Sequence, residues 1–297
     1  MNKRLSKLAN ILIQVVLTAC LFYVLTGGAA FFDWTQVPRW KKILMLTTYA
    51  AAFVCAGIAI LLYYKDRGKL VSLQPFRMIH AFFNLNPVLS VGILFISFWA
   101  TQLSQQLAMH YGLETHLWDF GFFDQILWSN AHGTDLVTSA RGGIHVCAEH
   151  FKPILFLIAP LYLFQNEVWF FLASTDLPLA SSLIAVYLIA RKVAGSHANA
   201  LTLTLCVFFY SPLVSGINFL YHTQMLIDPF LLWGFYFILK DRRVLAFIFF
   251  AFALSCKESA VPDLLGIGLF LFAQKRKTPG GLAVVLSLVW LLSFVFW

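Results

Sequence analysis

Apolar runs of roughly 16 to 25 residues recur at least seven times along this chain, and that is the length a helix needs to cross about 30 Å of hydrocarbon. No water reaches the backbone at that depth, so a spanning segment must satisfy its own N–H and C=O groups. Only helices and closed barrels achieve this. The alternating polarity of a membrane β-barrel does not occur in the sequence. Hydrophobic residues make up 60% of the chain and charged residues 11%, with a mean hydropathy of +0.79, far from the balance of a soluble domain. The expected fold is all-α, a polytopic transmembrane protein with about eight or nine membrane segments.

The net charge of +8 invites a nucleic-acid reading, but its distribution speaks against one. Fifteen of the 21 Lys and Arg sit in short connections beside apolar runs: Lys3/Arg4/Lys7, Lys65/Arg67/Lys69/Arg77, Arg191/Lys192, Lys240/Arg242/Arg243 and Lys275/Arg276/Lys277. Such clusters mark cytoplasmic connections. They predict a multi-pass protein of the cell membrane with a cytoplasmic N-terminus, in contact with membrane lipids and not with nucleic acid. Segments 8–25, 43–64, 87–105, 168–190, 200–216, 225–239, 245–255, 260–273 and 282–297 then thread the bilayer, and the stretch 106–152 becomes an extracytoplasmic loop.

Two stretches need separate argument. Residues 151–164 are apolar but short, and Pro153 and Pro160 interrupt them, which predicts a re-entrant or interfacial helix. The stretch 245–273 is basic at both ends and broken by Lys257, Glu258 and Pro262, which predicts a hairpin with Lys257 at its tip. Residues 1–80 read as a two-helix extension, whose start resembles a signal peptide with too long an apolar run to be cleaved. Residues 81–297 read as the main membrane domain, and the end at Trp297 inside an apolar run reads as a truncation. The five scattered cysteines imply no disulfide framework.

The loop 106–152 holds five of the eight histidines and five of the 13 acids. Polar groups do not help a chain enter a bilayer, so their concentration marks a place for chemistry or recognition. Asp119 precedes the run Phe120-Gly121-Phe122-Phe123-Asp124-Gln125-Ile126-Leu127-Trp128. It could cap a helix there, or it could be a carboxylate that accepts a proton from a substrate hydroxyl. Arg141, His145, Glu149, His150 and Lys152 crowd the end of the loop. They read either as interfacial anchors or as a cluster that grips a phosphate. The His-Glu-x-x-His spacing of zinc ligands does not occur, and nothing in the sequence requires a metal or another cofactor. Lys257 and Glu258 between two half-length apolar runs are costly unless they face protein or water. With Asp176, Asp228, Asp263 and His222 they are either mutually neutralised structural groups or the lining of an aqueous cavity.

The run Asp119 to Trp128, His150-Phe151-Lys152-Pro153-Ile154, Pro160-Leu161-Tyr162, His222 and Lys257-Glu258 together resemble an uncharacterised prokaryotic family of membrane proteins. That family is in turn similar to the GT-C superfamily of glycosyltransferases, of the protein O-mannosyltransferase and aminoarabinose transferase type. Those enzymes carry an acidic motif, Asp-Glu-x-x-Tyr, where Asp119 and Phe123 stand here, and a Glu-Lys-Pro-Pro motif where Lys152-Pro153 stand. Phe120 replaces the second acid of the first motif and Ile154 the second proline of the last.

The resemblance implies transfer of a sugar from a polyprenyl-phosphate-linked donor to an acceptor at the outer membrane face. Asp119 would be the catalytic base, and Lys152, with Arg141 or Lys257, would stabilise the departing lipid phosphate. Asp124, Gln125, Glu149, His150, His222 and Glu258 would complete the substrate site. The competing class is a transporter or lipid-binding membrane protein, whose buried charges line a substrate path, or an inactive homologue. Transporters usually show paired repeats, and none is visible in the sequence.

Overall fold

A computed structural model describes residues 85–115, 120–164, 167–210 and 221–296. Asp119 and the segments expected at 8–25 and 43–64 lie outside the described residues. The described residues are helical, with a single isolated bridge between Val137 and His145 in place of any strand. Three helices are long and apolar enough to cross a membrane: Pro87–Tyr111, Val168–Ala194 and Lys277–Val295. Five further apolar stretches are shorter: Ile154–Leu163, His197–Phe208, Thr223–Leu239, Arg243–Cys256 and Ala260–Ala273. An all-helical membrane protein is therefore what the sequence folds into.

The chain divides into two compact units, residues 1–94 with 190–215 and residues 95–189 with 216–297. The first contains the start of helix α1 (Pro87–Tyr111), the end of helix α4 (Val168–Ala194) and helix α5 (His197–Phe208). The α4–α5 turn is made by sequence chemistry of a familiar kind. Gly195 takes φ +71°, Arg191 donates to its carbonyl at 3.0 Å, and Ser196 accepts the amide of Asn199 at 3.1 Å. A left-handed residue ends one helix and a serine caps the next.

The second unit holds the rest of α1 and α4, a folded cap over residues 120–164, and two helical hairpins. The cap contains α2 (Phe122–Ala131) and α3 (Ile154–Ile158), which runs on into a 3-10 turn, Ala159–Leu163. This ten-residue element buries Ile154, Leu155, Ala159 and Tyr162 and exposes Phe156, Leu157 and Leu163. One hairpin pairs α6 (Ile227–Leu239) with α7 (Arg243–Cys256), the other α8 (Ala260–Ala273) with α9 (Lys277–Phe296). Arg276 donates to the Ile238 carbonyl at 2.9 Å, so both basic turns lie at one end. The stretch 245–273 is broken at Lys257, whose backbone is extended (φ −171°, ψ 151°), and α7 and α8 run in opposite directions.

The second hairpin depends on two glycines. A Cβ on Gly268 would lie 2.8 Å from Val284 Cγ2 and 3.1 Å from the Gly280 carbonyl, and one on Gly280 would lie 2.9 Å from the Gly268 carbonyl. Small residues let helix backbones approach this closely where lipid supplies no hydrophobic drive between helices. Gly280→Ala should therefore cost about 1–3 kcal/mol by overpacking. Gly266→Ala, with nothing within 4 Å of the added carbon, should cost nothing. Thermal unfolding of the purified full chain compares the two, and equal midpoints would remove the close approach from the account.

Candidate functional site

The cap is built on α2. Its positions Phe122, Phe123, Ile126 and Leu127 are buried together with Leu136, Val146, Leu155, Tyr162, Phe171 and Tyr221, one apolar stripe at helical spacing. Polar residues of α2 stitch the cap together. The Tyr162 hydroxyl donates to Asp124 Oδ1 at 2.6 Å. Gln125 Oε1 accepts from the Thr138 hydroxyl at 2.6 Å and the Ser139 amide at 3.1 Å. Gln125 thus holds the turn Ser139–Arg141, at whose end Arg141 stands.

A second turn, Val146–Ala148, is capped by His145, whose Nδ1 accepts the Cys147 amide at 3.1 Å. Cys147 itself is buried, and that burial pushes its thiol pKa up. The chain then delivers Glu149, His150 and Lys152 to the broken end of the α7–α8 hairpin. His150 Nδ1 lies 2.7 Å from Glu258 Oε1. Lys257 donates to Gln224 Oε1 at 3.2 Å. Adjacent in sequence, Lys257 and Glu258 therefore engage different partners rather than each other. The second oxygen of Glu258 is buried with no hydrogen-bond partner among the described residues.

Lys152 is the most unusual group in the cluster. Its residue is only 7% exposed, and its ammonium sits 4.8 Å from the centroid of the Phe123 ring. The ring face attracts the cation. Among the described residues it makes no ion pair within 4.0 Å and no hydrogen bond. Burial pulls its pKa from 10.5 to about 8, with the Lys257 charge acting in the same direction and Glu258 and Glu149 opposing. His222 packs edge-on against the Phe123 ring, with centroids 5.5 Å apart.

His222 also lines a small space with Gln106, Asp176 and Tyr221, where Gln106 donates to Asp176 Oδ1 at 3.2 Å.

The structure thus brings Glu149, His150, Lys152, Lys257 and Glu258 into one electrostatic cluster, with His222 against its aromatic floor. Asp124 and Gln125 are engaged within the cap. Sequence reasoning missed Phe123 as the floor under Lys152 and Gln224 as the partner of Lys257. The neighbourhood of Gln224 and His222 in one tetrapeptide was the only signal for the latter.

What fold and cluster define is an all-helical membrane protein with a cluster of charged side chains where its loop meets a helix break. Residues 109–296 match the family described as Predicted membrane protein (DUF2079). The chain belongs to that family. No curated protein and no solved structure matches it at a significant level.

The depressed pKa of Lys152 has a measurable consequence. Between pH about 8 and 10.5 the unfolded chain holds a proton on this lysine that the native state has given up, so native stability rises with pH across that window. Below pH 8 the cost of the buried charge is present in full. Lys152→Met removes both charge and cost, so it should stabilise the protein at pH 7 and flatten the rise towards pH 9.5. Unfolding midpoints of parent and variant at the two pH values test this, and parallel curves would contradict it.

Proposed function

We propose that this protein is a membrane glycosyltransferase of GT-C type, which transfers a sugar from a polyprenyl-phosphate-linked donor to an acceptor at the outer membrane face. The observation that carries this reading is Lys152, a buried residue whose ammonium lies over the Phe123 ring, makes no ion pair with a carboxylate and feels the cation of Lys257. The charges of Glu258 and Glu149 reach Lys152 without forming an ion pair with it, and a lipid phosphate would supply the direct partner.

In the proposed reaction the acceptor hydroxyl oxygen attacks the anomeric carbon of the donor. The carbon–oxygen bond to the phosphate breaks, and its electron pair leaves with the phosphate. The hydroxyl proton passes to the Asp119 carboxylate, acting as general base. Lys152 and Lys257, with Arg141, stabilise the negative charge that grows on the departing phosphate. A fixed cation is effective there because the site is partly desolvated. His150 and Glu258, held 2.7 Å apart, would place donor hydroxyls. Asp124 and Gln125 support the site through the cap, and His222 closes its floor.

The enzyme reading stands on Asp119. Asparagine keeps a capping acceptor oxygen and the size of the side chain but cannot take the proton. Asp119→Asn should retain folding and donor binding yet lose transfer by about 10²-fold or more. Lys152→Met should lose a similar factor, about 10²-fold, by weakening phosphate stabilisation. In the parent, donor KM should rise above pH 8 as Lys152 gives up its proton, whereas Lys152→Arg, which stays charged, should hold KM flat. Transfer measured with radiolabelled polyprenyl-phosphate sugars decides. Parent-like turnover by Asp119→Asn would remove the catalytic assignment.

The outward orientation of the cap is tested separately. Cys147 is buried and poorly placed to report on it, whereas Asp135 is exposed. Asp135→Cys should gain label from a membrane-impermeant maleimide on intact cells. Label that appears only after permeabilisation would place the cap on the cytoplasmic side and overturn the outer-face site.

A further inference from the structure

At the end of the second unit opposite the helix break, α7 and α9 begin with Arg243 and Lys277, and neither helix has an acid in its first turn. Between the two basic turns lies a cleft of about 300 Å³, lined by Asp241, Arg243, Lys275, Arg276 and Lys277. Arg276 is committed to structure, donating to the Ile238 carbonyl at 2.9 Å and standing 3.9 Å from Asp241 Oδ1. Arg243, Lys275 and Lys277 make no ion pair among the described residues. The cleft therefore holds three uncommitted cations against one acid that already faces Arg276.

One residue beyond Arg243 an apolar groove of about 580 Å³ begins on the same two helices. Val244, Phe247, Ile248 and Ala251 of α7 form one wall, and Leu282, Val285, Leu286 and Val289 of α9 form the other. At 1.5 Å per residue each wall runs for about 10 Å. Lipid-facing grooves are common on helix pairs. This one, however, continues a cationic cleft on the same two helices, an arrangement complementary to a molecule with a phosphate head and an apolar chain.

We propose that α7 and α9 form a binding site for an anionic phospholipid of the surrounding bilayer, with its phosphate in the cleft and one acyl chain in the groove. The inference is independent of the glycosyltransferase reading. The two sites lie at opposite ends of the α6–α9 hairpins, so either can fail without the other.

The test is thermal unfolding of the detergent-purified full chain, with added lipid as the probe. Phosphatidylglycerol should raise the midpoint by several degrees more than phosphatidylcholine. Arg243→Gln with Lys277→Gln should abolish most of that difference, while Arg276 is left in place to hold the turns together. Val285→Trp, at a position 56% exposed that a large side chain can occupy without entering the core, should fill the groove and reduce the shift by half or more. Equal shifts with both lipids, or a phosphatidylglycerol shift unchanged in both variants, would overturn the proposal. Inorganic phosphate reproducing the whole shift would replace the lipid with a free anion. A larger shift from polyprenyl phosphate, lost in the same variants, would reassign the site to the carrier lipid.

Discussion

In the hydrocarbon layer nothing but the chain itself can accept or donate a backbone hydrogen bond, and the rest of this structure follows from that scarcity. Helices end only where some other group takes over the exposed carbonyls and amides. At the tip of the first hairpin, Arg242 N–H bonds the Phe237 carbonyl at 2.9 Å and Asp241 N–H the Ile238 carbonyl at 3.1 Å. At the tip of the second, Arg276 N–H bonds the Leu271 carbonyl and Lys275 N–H the Phe272 carbonyl, both at 2.9 Å. These are matched left-handed caps, with Asp241 at φ +56° and Lys275 at φ +61° in a position usually given to glycine. The strain of a side chain at positive φ is accepted where charge also has to meet water.

The same scarcity explains why the cap is not merely a polar loop. Its backbone changes direction several times between residues 131 and 154, and each turn has its own polar partner, from Thr134 on Ser129 to His145 on Cys147. What fixes these turns relative to one another is the aromatic core of Phe122, Phe123, Tyr162, Phe171 and Tyr221. Phe123 packs on Tyr221 at 5.2 Å and on His222 at 5.5 Å, and the Lys152 ammonium lies 4.8 Å from its centroid. One ring thus belongs to the core and to the candidate site together, so packing in the cap and charge in the pocket are mechanically linked.

How far the sequence was legible depends on the range of the interaction concerned. Local signals read well: the Lys257 break between α7 and α8, the basic turn around Asp241, and the short helical element within 151–164, started after Pro153 and tightened at Pro160, follow from composition and breaker residues. Helix length was less legible, because α1 continues through Gln105 to Tyr111 and α4 through Ala190 to Ala194. Polar side chains at those ends do not stop a helix whose amides are already paired. Long-range partners were the least legible. His150 and Glu258 meet across 108 positions and Lys257 and Gln224 across 33, and no periodicity encodes such a meeting. Neighbouring opposite charges at 257–258 naturally read as a pair, yet the extended backbone at Lys257 sends adjacent side chains to different sides.

The buried lysine is what turns this arrangement from a fold into a candidate site. A cation taken out of water loses its hydration, and a carboxylate at close range normally offsets part of that cost. Here neither of the acids whose charge reaches Lys152, Glu258 and Glu149, forms an ion pair with it. Glu258 is held 2.7 Å from His150, and Lys257 adds a second positive charge that pulls the Lys152 pKa further down. Stability alone would favour methionine at this position, because the residue is buried and a charge at its tip is costly there. Retaining the ammonium makes physical sense if an anion joins the pocket during use. Such an anion would restore the missing half of the ion pair and draw the Lys152 pKa back up, so the lysine would be most firmly charged when the phosphate is present.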